Sequence, residues 1–161
     1  MSTSKTAKDP GTASAKGGKK LSNFLCFAIY SANLAFGRAY KPLLDKLGLT
    51  YTQYVTLVAL SEEDDQTVST LGEKLFLESN TLTPILKKLE ADGYLQRRRD
   101  PADERQVRLT LTPAGQAVVD AEPGAALTDV IGLGDDFETV QRSVAKLRDN
   151  LLGAGLPGNR K

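Results

Sequence analysis

Apolar residues recur every three or four positions over most of this chain, and they alternate with polar residues over one short stretch. From Leu21 to about Tyr40 the helical spacing predicts a first helix with Ser22 as its N-cap. Pro42 is expected to bend or end this helix, because proline lacks the backbone donor that a helix interior needs. Gly48 is then expected to stop the segment.

The middle of the chain predicts several shorter helices. Thr50 and Gln53 have the spacing of a capping box, in which each side chain satisfies a backbone donor of the other residue. The acidic residues 62–65 are expected to form a solvated loop. The helices are predicted over about 50–60, 68–75 and 79–93.

The spacing then changes to two residues. The segments "YLQRRR" and "QVRLTLT" alternate apolar and polar positions and flank the turn "DPADER". This pattern predicts a β-hairpin that pairs about 94–99 with 106–111.

Helical spacing returns towards the C-terminus. The Thr-Pro pair at 112–113 predicts a helix start, with a helix to about Leu127 that is kinked at Pro123. Asp135 and Glu138 can form a second capping box at the start of the last helix. That helix carries an apolar stripe made of Phe137, Val140, Val144, Leu147 and Leu151.

Composition excludes several classes of chemistry. The 161 residues suit one domain and include no histidine and one cysteine. Ser-His and Cys-His catalysis and thiolate zinc cages are therefore excluded, and we expect neither an enzyme nor a metal or other cofactor. A single cysteine also excludes an internal disulfide framework, which favours a reducing, cytoplasmic location. No apolar run is long enough for a membrane span.

The charge is unevenly distributed along the chain. Residues 1–20 carry five lysines against one aspartate, a net charge of +4, which leaves −3 for the rest of a chain whose net charge is +1. This segment is poor in apolar residues and is expected to be disordered. It either adds weak attraction to phosphates or serves only as a solvated tail.

A short helix, a tight turn, a second helix and a basic hairpin make up the pattern of a winged helix-turn-helix. We therefore expect a mainly α fold with a small β-hairpin wing, and double-stranded DNA as the partner; a solvated hairpin on an ordinary α+β domain is the alternative. Short polar groups at the start of the second helix suit base edges, lysines one turn later suit phosphates, and arginine at the hairpin tip suits a narrow groove. The candidates are Ser79, Asn80, Thr81, Thr83, Lys87 and Lys88 on the helix, with Arg105 at the hairpin tip and Arg97, Arg98, Arg99 and Arg108 along its strands.

Residues 81–115, "TLTPILKKLEADGYLQRRRDPADERQVRLTLTPAG", resemble the core of the MarR family of winged-helix repressors. The "DPADER" wing followed by "LTPAG" carries the resemblance, which implies that Asp103 orients Arg105. It also implies a two-fold homodimer built by the first and last helices. The implied organisation is a tail over 1–20 and a domain over 21–153, with a DNA-binding lobe over about 52–111 and dimerisation helices over about 21–48 and 113–153.

Cys26 is the remaining candidate group. A free cysteine is most often a small buried hydrophobe. If Ser22 caps the first helix, however, Cys26 ends its first turn, where amide donors and the helix dipole favour a thiolate. Tyr30 lies one turn further on. Tyr40 lies fourteen residues away, about 21 Å of helix, so that it and Tyr51 could reach Cys26 only across a two-fold interface.

The stretches around Cys26 and "AYKPLLDKLGLTYTQY" are similar to the OhrR-type branch of the MarR family, the organic-hydroperoxide sensors. This resemblance implies a redox-active Cys26 with Tyr40, Tyr51 and Tyr30 around it, and a repressor that leaves an inverted-repeat operator once a hydroperoxide oxidises the thiol. Because there is no second cysteine, the oxidised sulfur must react with a small thiol, be oxidised further or be attacked by a backbone nitrogen.

Three alternatives remain open from the sequence. The chain could be a MarR-type regulator of a non-covalent small ligand with an inert Cys26, a thiol peroxidase, or an activator or architectural protein with the same fold. The lack of histidine and of a second cysteine argues against the peroxidase.

Overall fold

The computed structural model describes residues 20–154 in two compact units, 20–37 and 38–154. The tail predicted to be disordered lies outside the described residues, except for Lys20. None of the described helices is long and apolar enough to cross a membrane.

The first helix differs from its prediction at both ends. Helix α1 spans Leu25–Leu44 and follows a 3₁₀ turn that contains Ser22, so the prediction that Ser22 is its N-cap was wrong. The carbonyl of Phe24 accepts the first backbone donors of the helix instead. Pro42 lies inside α1, in its last turn, where the missing donor interrupts little of the remaining helix. Gly48, at φ 66°, ends the following 3₁₀ turn as predicted.

The predicted capping boxes have different outcomes. Thr50 and Gln53 form theirs, with N···O distances of 2.8 and 3.3 Å. Asp135 forms no such cap, because a 3₁₀ turn leads directly into the last helix. The remaining helices are α2 (Tyr51–Glu62), α3 (Val68–Leu75), α4 (Ser79–Ala91), α5 (Pro113–Asp120), α6 (Leu127–Ile131) and α7 (Phe137–Gly153).

The helix predicted to run from residue 113 to about Leu127 with a kink at Pro123 is in fact two helices. Helix α5 ends at Asp120, and Glu122 takes a left-handed conformation at φ 41° that no helix can continue through. The chain then turns before α6 begins, so the break comes one residue before Pro123.

The hairpin is confirmed and extended by a third strand. Strands β2 (Leu95–Arg99) and β3 (Val107–Leu111) pair antiparallel with Arg97 opposite Leu109. The two-residue strand β1 (Gln66–Thr67) pairs with the other edge of β3 and was not predicted, since two residues show no alternation. The architecture is the expected one, mainly helical with a small antiparallel sheet.

The core of the larger unit is built almost entirely from leucines of α2, α3, α4 and the sheet. Gly115, the glycine of "LTPAG", allows α5 to approach the hairpin, because a Cβ there would lie 2.1 Å from the carbonyl oxygen of Tyr94. The buried leucines are Leu44, Leu49, Leu57, Leu60, Leu71, Leu82, Leu86, Leu89, Leu95 and Leu109.

Two apolar faces stay exposed within the chain. One lies on α1 in the first unit, and the other is the stripe of α7 in the second. Contiguous exposed apolar surface is typical of an interaction site. The exposed members include Leu25, Leu34 and Phe36 on α1 with Phe24 just before it, and Phe137, Val140, Val144 and Leu151 on α7.

Candidate DNA interface and redox site

Helices α3 and α4 form the predicted helix-turn-helix. The hydroxyl of Thr67 caps α3 by accepting the N–H of Thr70 at 3.1 Å. Helix α3 ends at Phe76 in the left-handed region, at φ 56°. A Cβ at Gly72 would lie 2.8 Å from the carbonyl oxygen of Leu77, so glycine permits the tight approach of the turn.

The polar residues predicted on α4 lie at its N-terminal end. Ser79, Asn80 and Thr81 are exposed, while Thr83 is half-buried and donates its hydroxyl to the carbonyl of Ser79 at 2.6 Å. The two exposed lysines of the helix differ in their ion pairing. Lys88 pairs with Asp92 at 2.7 Å, and Lys87 has no ion-pair partner in residues 20–154.

The tip of the hairpin is organised by Asp103. Its carboxylate accepts the backbone N–H of Arg105 and the side-chain amide of Gln106, both at 3.1 Å. The acidic residue thus holds the arginine through the main chain rather than through its charge. Within the described part of the chain the guanidinium groups of Arg105 and Arg99 have no ion-pair partner, and both side chains are exposed.

A groove of about 290 Å³ joins these parts. Its walls are the start of α3, the start of α4 and the hairpin tip, so that Ser79 and Thr83 line it together with Arg105. The structure therefore brings three of the predicted DNA-binding residues to one concave surface. The other lining residues are Thr67, Val68, Ser69, Gln106 and Val107.

Arg97 differs from the other candidate arginines. Its guanidinium forms an ion pair with Glu90 of α4 at 2.6 Å, and Glu90 also accepts the backbone N–H of Arg97 at 3.1 Å. The hydrogen bond from Arg97 lowers the pKa of Glu90. Because this side chain is already bound between β2 and α4, we leave Arg97 out of the proposed interface.

Arg108 fixes the hairpin to the loop before β1. It bonds the carboxylate of Asp65 at 2.9 Å, the backbone carbonyl of Asp65 at 2.6 Å and the carboxylate of Asp100 at 3.1 Å. The hydrogen bond from Arg108 lowers the pKa of Asp65, and the N–H of Ala102, followed by Arg108, lowers the pKa of Asp100. The loop over 62–65 is thus a partner of the wing. Residues 62–64 are exposed, as predicted for a solvated loop, but the contacts of Asp64 and Asp65 with the hairpin were not predicted, because no local pattern shows a contact more than 40 residues away.

Three tyrosines of the larger unit form a cluster. The ring of Tyr40 lies 4.9 Å from that of Tyr51 and 6.2 Å from that of Tyr54, centroid to centroid. Burial, followed by the neighbouring Tyr40, raises the pKa of both Tyr51 and Tyr54, so these phenols stay protonated and can donate a hydrogen bond at neutral pH. Sequence reasoning missed Tyr54, although it lies three residues after Tyr51.

Cys26 and Tyr30 lie in the first unit, whereas Tyr40 and Tyr51 lie in the second. Cys26 is the second residue of α1 and is exposed. Tyr30 is also exposed, and its ring centroid lies 6.4 Å from that of Phe27. Within the chain the thiol is therefore not the buried hydrophobe that free cysteines usually are.

Comparison with known proteins gives a consistent result. Residues 38–121 match the family model described as transcriptional regulator SarA/Rot. The chain is 40% identical to the organic hydroperoxide resistance transcriptional regulator of Bacillus subtilis (strain 168) over 136 residues, 82% of this chain and 92% of that protein. It is 51% identical over 100 residues to the regulator TtmR of Methylorubrum extorquens (strain PA1), but that match spans only about half of TtmR, 51%, and 62% of this chain.

Solved structures of AbfR are similar over most of the chain. Reduced AbfR bound to DNA has a TM-score of 0.69 at 37% identity, covering 82% of this chain and 96% of that one. Overoxidized AbfR bound to DNA has a TM-score of 0.68 at 38% identity, covering 81% and 94%.

Proposed function

Because this chain belongs to the SarA/Rot transcriptional regulator family and is an OhrR-type winged-helix regulator, we propose that it represses transcription by binding DNA and releases its operator when an organic hydroperoxide oxidises Cys26. The observation that carries the proposal is the exposed lone thiol at the start of α1 in a chain 40% identical to a hydroperoxide-resistance regulator. It acts in the cytoplasm, where its thiol is kept reduced.

The assembly is a homodimer. The apolar faces of α1 and α7 are each exposed in the part of the chain that the structure describes, and a second copy would bury both. The dimerisation helices are those of residues 21–48 and 113–153, and the DNA-binding lobe covers about 52–111. Two-fold symmetry places two α4 helices in successive major grooves of an inverted repeat, about 34 Å apart.

Each α4 presents Ser79, Asn80 and Thr81 to base edges, with Thr83 behind them and Lys87 and Lys88 towards phosphates. Each wing presents Arg105 and Arg99, and Asp103 holds the tip in shape. The exposure of Arg105 supports this assignment, since a guanidinium with no ion-pair partner among residues 20–154 is available for a DNA phosphate or groove.

The same two-fold symmetry provides the Cys26 thiolate with hydrogen-bond donors. Tyr40 and Tyr51 of one protomer face Cys26 of its partner, and their phenol O–H groups stabilise the thiolate, with Tyr30 nearby on α1. The thiolate attacks one peroxide oxygen, a sulfur–oxygen bond forms, and the oxygen–oxygen bond breaks. The products are a sulfenic acid at Cys26, which keeps the hydroperoxide proton, and an alkoxide that leaves as the alcohol after taking a proton from water and forming hydroxide.

A small thiol then converts the sulfenic acid to a mixed disulfide and releases water. The solved structure of overoxidized AbfR is a complex with DNA, which favours a bulky mixed disulfide over a small oxygen adduct as the releasing form. Moving the DNA-competent fraction from 99:1 to 1:99 requires about 5.5 kcal/mol, which an adduct in a packed interface can supply.

The test compares the wild type with Cys26→Ser, each bound to its operator and treated with cumene hydroperoxide with and without a small thiol. Release is measured by fluorescence anisotropy, and the state of Cys26 is measured by mass spectrometry. We expect release in the wild type alone, fullest with thiol, and peroxide loss of one equivalent per protomer when no thiol is added. Equal release by Cys26→Ser would refute the sensor, and thiol-dependent peroxide loss well beyond one equivalent per protomer, absent in Cys26→Ser, would indicate a peroxidase.

A further inference from the structure

The turn that joins α5 to α6 packs directly on the Tyr40 side chain through Gly124. A Cβ at Gly124 would lie 2.3 Å from the Tyr40 hydroxyl oxygen and 2.7 Å from both Cε1 and Cζ of the ring. Distances this short lie far inside van der Waals contact, which begins near 3.5 Å. The φ of Gly124 lies outside the left-handed region, so the position requires glycine for space and not for its backbone conformation.

The turn is the stiffer side of this contact, because it is backbone and the atoms that it faces are the far end of the Tyr40 side chain. The Tyr40 ring packs against Tyr51 and Tyr54, at 4.9 and 6.2 Å between centroids. The turn is held by its own backbone: the Ala125 N–H donates to the Glu122 carbonyl, and the Leu127 N–H donates to the Gly124 carbonyl, each at 2.9 Å. A methyl group at position 124 would therefore displace the Tyr40 phenol.

We propose that Gly124 is a positioning residue of the sensor, which acts by fixing the direction of the Tyr40 hydroxyl. The inference rests on the proposed function, in which that hydroxyl donates to the thiolate of Cys26 on the partner protomer. The α5–α6 turn then influences the reactivity of the Cys26 thiol, although it is distant from Cys26 in sequence and makes no contact with the thiol in the proposed mechanism. No feature of the sequence around Gly124 indicates this role.

The experiment measures the rate at which cumene hydroperoxide oxidises Cys26 in full-length dimers of the wild type, Gly124→Ala, Tyr40→Phe and the double variant. Ala125→Ser is the matched control, because it also adds one heavy atom but at an exposed residue of the same turn. Gly124→Ala is expected to slow oxidation roughly tenfold, as Tyr40→Phe does, which is the loss expected for one hydrogen bond to a charged acceptor. The double variant should be no slower than either single variant, since both remove the same interaction.

Operator binding by each reduced variant shows that the fold is intact. The chain has no tryptophan, and three of its five tyrosines form the cluster, so tyrosine fluorescence should change in Gly124→Ala but not in Ala125→Ser. If Cys26 is oxidised at the wild-type rate in Gly124→Ala but slowly in Tyr40→Phe, the inference is overturned and the proposed function stands. Wild-type oxidation of Tyr40→Phe would overturn both the tyrosine's role and the inference, and loss of reduced operator binding in Gly124→Ala would assign the glycine to folding instead.

Discussion

Two arginines of the same hairpin should respond to alanine substitution in opposite ways. Arg105 has no ion-pair partner in the described residues and lines the groove beside α4. Arg97 is bound to Glu90 by its guanidinium. The proposed interface therefore loses a contact in Arg105→Ala, whereas the fold loses one in Arg97→Ala.

The expected sizes follow from these contacts. Arg105→Ala leaves no protein group unpaired, so we expect its free energy of unfolding to change by less than about 0.5 kcal/mol. Each lost phosphate contact lowers the slope of log K against log salt by about 0.9, or about 1.8 for a dimer that carries the change twice. Arg97→Ala breaks a half-buried pair worth about 1 kcal/mol, which lowers the melting temperature of a chain this size by about 2–4 °C and leaves the salt slope unchanged.

Both quantities are measured on the same two purified variants. Operator affinity is determined by fluorescence anisotropy between about 50 and 200 mM salt, the range over which phosphate contacts dominate, and stability is determined by thermal unfolding followed by circular dichroism. If Arg97→Ala lowers the salt slope and Arg105→Ala does not, the assignment of the two side chains is wrong. If neither variant changes the slope, the wing does not contact phosphates.

Further predictions concern stability and the wing anchor. Thr50→Ala should cost about 1 kcal/mol of unfolding free energy in urea titrations, because it removes the observed capping box, and Thr50→Ser should retain most of the stability. Gly115→Ala should destabilise more strongly, by about 2 kcal/mol or more, since its methyl group would overlap the carbonyl oxygen of Tyr94; full stability would refute this contact. Because the fold lowers the pKa of Asp65, the ionised carboxylate contributes fully to the free energy of unfolding at neutral pH, and this contribution is lost as the pH falls below 3.8, the ordinary pKa of the group. Asp65→Asn should therefore make the free energy of unfolding less dependent on pH in the acid range. Arg108→Gln should weaken operator binding without changing the salt slope, since Arg108 holds the wing and does not contact phosphate in our assignment, and a reduced slope would contradict this.

Local patterns predicted the elements of this fold well where each element carries its own signal. Helix α3 falls on the predicted residues 68–75, and Thr50 caps α2 as its spacing indicates. The failures occur where the determining contact is distant or is made by the backbone. The two residues of β1 form a strand only because β3 is beside them, and Glu122 ends α5 through a backbone conformation that its side chain does not reveal.

In the candidate site, too, local pattern predicted some residues, and distant contacts decide the role of the others. Residue type and spacing predicted Ser79 and Arg105, which the structure brings to one groove. Spacing along β2 could not distinguish Arg99 from Arg97, because their difference lies in Glu90 of α4, which pairs with Arg97 only. Tyr54 and Gly124 were missed for the same reason, since each is defined by its contact with Tyr40.

Pairing within the domain also changes what the net charge of +1 implies for DNA binding. A nearly neutral chain provides little overall attraction to a polyanion, so the cations that remain unpaired decide where attraction is felt. Arg97, Arg98 and Arg108 are each paired with a carboxylate, so these arginines contribute to the shape of the wing more than to its charge. On α4 and the wing, Lys87, Arg99 and Arg105 have no ion-pair partner in the described residues. The acidic residues therefore neutralise the arginines that build the wing, and the unpaired charge of α4 and the wing lies on the residues that we propose contact the duplex.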